Sequence, residues 1–336
     1  MGRFCQPRPW RDFLSFERMD ARHRKRLGYR SHSIFAERNN RVVGVAPLFL
    51  VENTPFGSWF GSRLVSTPNT VYGGVVAESE AICDELIAEA GSLAKTLRVD
   101  YLELRGASEF GAREPGFHLQ NLYVAFNLPI TADDDALMKS FPRDIRRMIR
   151  QGFKHGLSSE FGRDELLDDF YDVYASNARR LGTPVFPKRL FASFLREFAD
   201  SSDILMIRRD GRVAGAVMSF YFRDTVAPYY GAAFPEFHGA GVNNFMYWEL
   251  MRSAALRGYS TFDFGRSKRG SGSYEFKRGW GMAETALPYN FLLVRADRPP
   301  NLNPMNPRFK PLIETWKRLP LGFTKLIGPM IVKYLP

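Results

Sequence analysis

The sequence predicts an α/β chain of the α+β type in which one unit, a mixed sheet flanked by helices, occurs twice in tandem. Length and composition, an ungapped internal repeat, and the periodicity that follows each copy carry this expectation. At 336 residues, with 45% hydrophobic and 25% charged side chains, the chain is long enough for two compact cores and too apolar for disorder. Residues 34–50 lie over 205–221 without a gap, so that IFAERNNRVVGVA (34–46) matches LMIRRDGRVAGAV (205–217). Each copy is an apolar strand, a two-residue turn and a second apolar strand. Asn39-Asn40 and Asp210-Gly211 tolerate the positive φ that tight hairpins demand.

The first copy continues through Tyr72-Gly73-Gly74 to an amphipathic helix over about 79–97, a strand at 101–104 and a last strand at 122–128. The second continues through Tyr230-Gly231 to a helix over about 244–257, a strand at 261–264 and a last strand at 289–294. Phe245, Met246, Leu250, Ala254 and Leu256 are expected to form the buried stripe of that helix. Between the copies, Leu137, Met138, Phe141, Ile145, Met148 and Ile149 recur at helical spacing. Arg143, Arg146, Arg147, Arg150 and Lys154 fill much of the remaining surface against one acid, Asp144, which makes this a basic junction helix. Helices over about 165–181 and 189–198 follow. The expected domains are 1–134, 135–297 with the junction helix, and a basic amphipathic tail, 298–336.

A net charge of +11 and a pI near 9.7 favour an anionic partner such as RNA, a nucleotide-linked sugar, CoA or an acidic membrane surface. Cys5 and Cys83, far apart, make neither a disulfide framework nor a CxxC pair, which suits a reducing compartment. The five histidines form no HxxxH or HxH grouping, so no metal site is expected, and His23 in the run 22–26 reads as part of a solvated basic face. The N-terminus lacks the apolar core of a secretory signal and no run of about 18 apolar residues exists, so a cytoplasmic protein is expected.

Residues 263–280 are the candidate active site. A short apolar strand ends in Asp263, and Gly270-Ser271-Gly272-Ser273 is expected to be a loop with free backbone amides that presents Tyr274, Phe276 and Lys277. Arg266, Lys268 and Arg269 ahead of it read either as a solvated loop or, with those amides, as an anion nest. Asp263 reads either as a general base or as a turn cap that holds Arg266. Tyr72 and Tyr230 each precede a glycine at equivalent points of the two copies, where core packing accounts for both, and Tyr229 and Tyr230 also suit a wall of an acceptor cleft. Arg146 and Arg150 read as the wet side of a helix or as contacts to RNA or pyrophosphate.

The duplicated acetyltransferase-like pattern, the basic junction helix and the glycine-rich stretch before Phe276-Lys277 resemble the Fem family of aminoacyl transferases. Within that superfamily the chain looks like the FemAB-like proteins found with exosortase and PEP-CTERM exopolysaccharide systems. The residues that carry the resemblance are Phe56-Gly57, Tyr72-Gly73-Gly74, the run 180–186 (RLGTPVF), 263–267 (DFGRS) and 272–281 (GSYEFKRGWG). The tail segments 303–307, 316–320 and Gly328-Pro329 match as well, so the likeness spans nearly the whole chain. The long helical arm of the Fem enzymes has no counterpart here, because no stretch repeats heptads over tens of residues.

The resemblance implies tandem GNAT-like (acyl-CoA N-acyltransferase) domains and transfer of an aminoacyl or acyl group to an amine of a cell-envelope or exopolysaccharide precursor. It implies no cofactor beyond the donor, aminoacyl-tRNA or acyl-CoA, and a nucleotide- or lipid-linked saccharide acceptor. It places Phe276 and Lys277 beside the reacting acyl group, with Asp263 as the third catalytic candidate. Arg266, Lys268, Ser273, Tyr274, Tyr230, Tyr72, Arg146 and Arg150 are the substrate-binding candidates. A lysine near the carbonyl stabilises the oxyanion, an effect of about 3 to 4 kcal/mol in well-studied sites. Gly239-Ala240-Gly241, preceded by Glu236, imitates the loop that holds CoA pyrophosphate in acetyltransferases, or is a packing turn. An acyl-CoA dependent N-acyltransferase and a non-catalytic, membrane-associated assembly factor are the rival readings. Segment 308–336, with six Lys or Arg, one Glu and a row of apolar side chains, reads as an interfacial helix broken at Pro320 and Pro329 or as a strap on the protein itself.

Overall fold

The computed structural model describes residues 29–52, 61–106, 116–299 and 307–335; Phe56-Gly57, Cys5, the run 22–26 and residues 303–306 lie outside the described residues. The chain divides into two compact units, Met1–Val124 with Ala286–Asn306 and Lys333–Pro336, and Ala125–Thr285 with Pro307–Val332. Each holds a mixed sheet with helix packed on it.

In the first unit, β1 (Arg30–Ser31), β4 (Phe49–Val51), β5 (Arg63–Val65) and β7 (Tyr101–Arg105) lie side by side, with β5 parallel to β7 and residues 289–293 antiparallel to it. A small sheet of β2 (Ile34–Arg38), β3 (Arg41–Ala46) and β6 (Val76–Ala77) accompanies them, and β8 (Phe117–Pro129) begins in this unit. Helix α1 (Glu80–Thr96) starts where the Ser79 hydroxyl accepts the Ile82 N–H, with Glu80 and Lys95 placed favourably for the helix dipole. Its face of Ile82, Cys83, Leu86, Ile87, Ala90 and Ala94 packs on Val43, Leu48, Leu64, Leu102 and Leu104. The carbonyls of residues 333, 334 and 335 are held here, the first by the Tyr29 hydroxyl and the next two by Arg63.

In the second unit, β9 (Leu157–Gly162), β10 (Ser202–Arg209), β11 (Arg212–Phe222) and β12 (Thr225–Ala233) form an antiparallel run. Next comes β13 (Thr261–Lys268), parallel to β12; β14 (Ala283–Leu293) starts in this unit. Helices α2 (Asp134–Ser140) and α3 (Arg143–Lys154) precede β9, α4 (Leu167–Leu181) and α5 (Lys188–Glu197) lie between β9 and β10, and α6 (Val242–Leu256) joins β12 to β13. The repeat is visible in the backbone. Asn39 and Asn40 have φ of 52° and 59°, Asp210 and Gly211 have 50° and 74°, and the ladder irregularities fall at equivalent sites, Ala36/Glu37 and Ile207/Arg208.

Three expectations are corrected. The junction segment is two helices, because Pro142 forces Phe141 into an extended conformation (φ −85°, ψ 150°) and α3 restarts after it. Leu256 is 60% exposed, since six positions beyond Leu250 it has turned to the far side of α6. Pro329 does not break the tail: Pro320 separates helix α7 (Lys310–Arg318) from helix α8 (Leu321–Val332), and Pro329 lies within the second. Both tail helices pack on α4, where the Arg179 guanidinium donates to the Leu319 carbonyl, Lys325 pairs with Asp172, and Trp316, Thr324 and Val332 are buried.

Candidate functional site

Although β12 and β13 are nine and eight residues long, they pair only at Thr225 with Thr261 and Val226 with Phe262. Beyond that point the two parallel strands no longer pair. On β12 an extra residue, Tyr229, enters opposite the Met218–Ser219 step of β11, a bulge that re-aims the strand past the end of its ladder with β13. On β13 the chain turns at Gly265, whose φ of 66° suits a residue without Cβ.

The Asp263 carboxylate, 2% exposed, accepts the Gly265 N–H at 2.7 Å and, with the Asn127 amide turned to suit, an N–H from that side chain at 3.1 Å. These are the bonds of a turn cap. The Lys277 ammonium donates to the carbonyls of Phe264, Gly265 and Arg266 at 2.6, 3.4 and 3.0 Å. Burial depresses its pKa to about 8, an effect opposed by the charge of Asp263 and reinforced by that of Arg266. Gly265→Ala should weaken this corner by about 1 to 2 kcal/mol, the cost of a side chain in the left-handed region, read by denaturant unfolding.

The glycine-serine stretch is not a free loop. Residues Gly272–Arg278 form a short helix, because the Ser271 hydroxyl lies within reach of the Tyr274 N–H and caps it. Strand β13 also runs on to Lys268, so Arg266 and Lys268 sit on a strand end. The Lys268 Nζ is buried with no hydrogen-bond partner among the described residues, and desolvation lowers its pKa. Ser273 is exposed, its hydroxyl 3.0 Å from that of Ser271. The Tyr274 hydroxyl donates to Glu284, which also pairs with Arg269, and its ring lies 5.7 Å from Phe126.

Behind Lys277, Phe276 belongs to an aromatic cluster. Its ring centroid is 5.8 Å from Tyr247, 6.4 Å from Phe264 and 6.3 Å from Trp280. Trp280, 1% exposed, meets Phe141 at 5.1 Å and so ties this corner to the segment that starts α3.

The other candidates are dispersed. Tyr230 packs on Tyr174 of α4 and on Phe191 and Phe194 of α5, whereas the neighbouring Gly231 faces Tyr247 of α6, so Tyr230 and the Phe276 cluster lie on opposite faces of the sheet. Tyr72 belongs to the first unit, where its carbonyl accepts the hydroxyls of Thr67 and Thr70. On α3, Arg143, Arg147, Arg150 and Lys154 form an exposed row at i, i+4, i+7 and i+11, and of these only Arg147 has an ion-pair partner among the described residues, Asp144 at 3.6 Å. Arg146 turns inward, its Nε buried without a partner among the described residues. Sequence reasoning missed Tyr247 and Asn127; the only sign of Tyr247 is a polar-tipped aromatic within the otherwise apolar run Phe245-Met246-Tyr247-Trp248.

The turn at 235–240 ends in Gly241, where a Cβ would stand 2.4 Å from the Met148 carbonyl oxygen of α3. The backbone of α3 thus covers the start of α6. Among the described residues no three His, Cys, Asp or Glu come together as a metal site, and no helix is long and apolar enough to cross a membrane.

Residues 139–278 match the family model of the acetyltransferase (GNAT) domain. No curated protein matches the chain in sequence. Among solved structures, FemX superposes with a TM-score of 0.64 at 16% identity, covering 84% of this chain and 93% of that one. The C-terminal domain of a putative lysylphosphatidylglycerol synthetase from Agrobacterium fabrum gives 0.56 at 14%, covering 82% and 90%. L-PGS from Bacillus licheniformis gives 0.54 at 12%, covering 93% and 96%. The fold is therefore that of GNAT-type acyltransferases.

Proposed function

We propose that the chain is a FemAB-type transferase that moves an aminoacyl or acyl group onto an amine of a cell-envelope or exopolysaccharide precursor. The observation that supports this best is the early end of the β12–β13 ladder, with Lys277 on the β13 carbonyls past it and Phe276 beside Tyr247, in a fold shared with FemX and a putative lysylphosphatidylglycerol synthetase domain. The amine nitrogen attacks the acyl carbon, a C–N bond forms, the bond to the leaving oxygen or sulfur breaks, and the proton lost by nitrogen ends on the leaving group. Phe276 shapes the acyl site. Because Lys277 spends its donors on three carbonyls, it acts on the developing oxyanion through its charge. Arg266, Lys268, Ser273 and Tyr274 border the same corner as substrate contacts.

Two features favour aminoacyl-tRNA over acyl-CoA as donor. At the start of α6, where acetyltransferases hold pyrophosphate, a phosphate would meet the Met148 carbonyl and the acid Glu236. The exposed row on α3 instead suits a polyphosphate backbone, with Arg150 as one contact. The test supplies radiolabelled aminoacyl-tRNA and acyl-CoA separately. Label should pass from the RNA, and Arg150→Ala should lower the slope of log affinity against log salt by about one. Transfer from acyl-CoA alone would establish the rival donor; transfer from neither would favour the assembly factor.

For location we propose the cytoplasmic side of the membrane, with peripheral contact through α8. Phe323, Leu326 and Met330 line its outer side at 47%, 71% and 68% exposure, and cations such as Lys310 and Arg318 accompany them on the tail.

A further inference from the structure

We infer that the Tyr247 hydroxyl is the hydrogen-bond donor to the carbonyl oxygen of the transferred group, an assignment that rests on the transferase reading above. Charge builds on that oxygen as the amine adds, and Lys277 has no free donor to offer it. Tyr247 does. Its residue is half-buried and its hydroxyl has no hydrogen-bond partner among the described residues. The hydroxyl stands over β12 at Gly231, where a Cβ would be only 2.7 Å from it. Gly231 lies past the last β12–β13 pair, so the hydroxyl sits where the two strands no longer pair. The ring is fixed by Phe264 at 4.8 Å, Phe262 at 6.3 Å, Phe276 at 5.8 Å and Trp280 at 6.4 Å.

The Phe264 ring links the two groups: it touches Tyr247 and lies 6.0 Å from the Lys277 Nζ. The arrangement therefore divides the work on one oxyanion between a nearby positive charge and a separate, pre-aimed donor. Burial pushes the Tyr247 pKa up to about 12, so the phenol keeps its proton across the working pH range. It donates a hydrogen bond without giving up the proton, and the proton balance of the transfer is unchanged: nitrogen loses one and the leaving group gains one.

The experiment compares wild type, Tyr247→Phe and Gly231→Ala in single-turnover transfer from labelled aminoacyl-tRNA and acyl-CoA, with melting temperature and KM measured for each. Tyr247→Phe keeps the ring and should slow transfer by about 10²-fold, with KM and melting temperature nearly unchanged and the same loss at every pH from about 6 to 9. Gly231→Ala leaves the phenol intact but displaces it and should slow transfer in the same way. Tyr247→Phe at the wild-type rate, or a loss confined to KM or to melting temperature, overturns the assignment. A wild type inert with both donors overturns the transferase reading and this assignment with it. An active wild type matched by Tyr247→Phe overturns the assignment alone.

Discussion

Lys277→Ala lowers the transfer rate by about tenfold or more, a barrier increase above about 1.4 kcal/mol, and also destabilises the second unit by about 2 kcal/mol. The first effect follows from removing a positive charge beside the acyl group, the second from leaving the Phe264, Gly265 and Arg266 carbonyls without their shared donor. The two separate by pH. Transfer should rise with pH as the acceptor amine loses its proton, then fall through about 8 as Lys277 loses its own. Lys277→Gln should remove that alkaline fall, whereas a base role for Lys277 would give a rise there instead.

The same group makes a stability prediction of definite sign. Its pKa is about 8 in the folded chain against an ordinary 10.5, so the unfolded state binds more protons between these values. The proton-linked part of its contribution is fully present above about 10.5 and is lost as pH falls through about 8. Unfolding free energy should therefore rise across that window in wild type and stay flat in Lys277→Met, on top of changes common to both.

Deleting residues 307–336 should leave the protein aggregated or largely unfolded. The tail helices pack on α4 and bury Trp316, Thr324 and Val332, and Gly328 comes against the Val185 backbone. Loss of one buried Trp alone costs about 3 to 5 kcal/mol, a large share of the roughly 5 to 15 kcal/mol that holds a domain together. Size-exclusion chromatography and thermal melts of the truncated chain check this; a monomeric, cooperatively melting product would refute it. Sedimentation with anionic vesicles of phosphatidylglycerol and phosphatidylcholine isolates the membrane role. Leu326→Glu with Met330→Glu should abolish it without lowering the melting temperature, and salt should weaken it in the wild type.

The repeat was legible because a hairpin is a local object. Asn39-Asn40 and Asp210-Gly211 specify the turn, the flanking alternation specifies the strands, and both read directly from consecutive residues. The candidate site was legible only in part. Asp263, Phe276 and Lys277 fall within one short stretch, but what Lys277 does with its ammonium depends on the turn at Gly265, which periodicity does not reveal. Tyr230 shows the limit. Its place beside a glycine marks it as special, yet alternation across the sheet puts it with α4 and α5, away from the Phe276 cluster. The capped helix at 272–278 was missed because Ser271 as an N-cap and glycine-serine as a loop look alike until the hydroxyl finds its amide.

By itself the sequence determined the duplicated α/β architecture, the basic row on the junction segment and the stretch in which the chemistry is sought. Those follow from composition, from turn residues and from apolar spacing, which act within a few residues along the chain. Only the tertiary structure decided that the β12–β13 ladder ends after two pairs, that Tyr247 from a different helix stands over Gly231, and that the backbone of α3 covers the start of α6. These depend on the close approach of segments far apart in sequence, where a missing Cβ or a single carbonyl sets the distance. Packing of that kind is fixed by the shapes of both partners together, and neither stretch of sequence carries it alone.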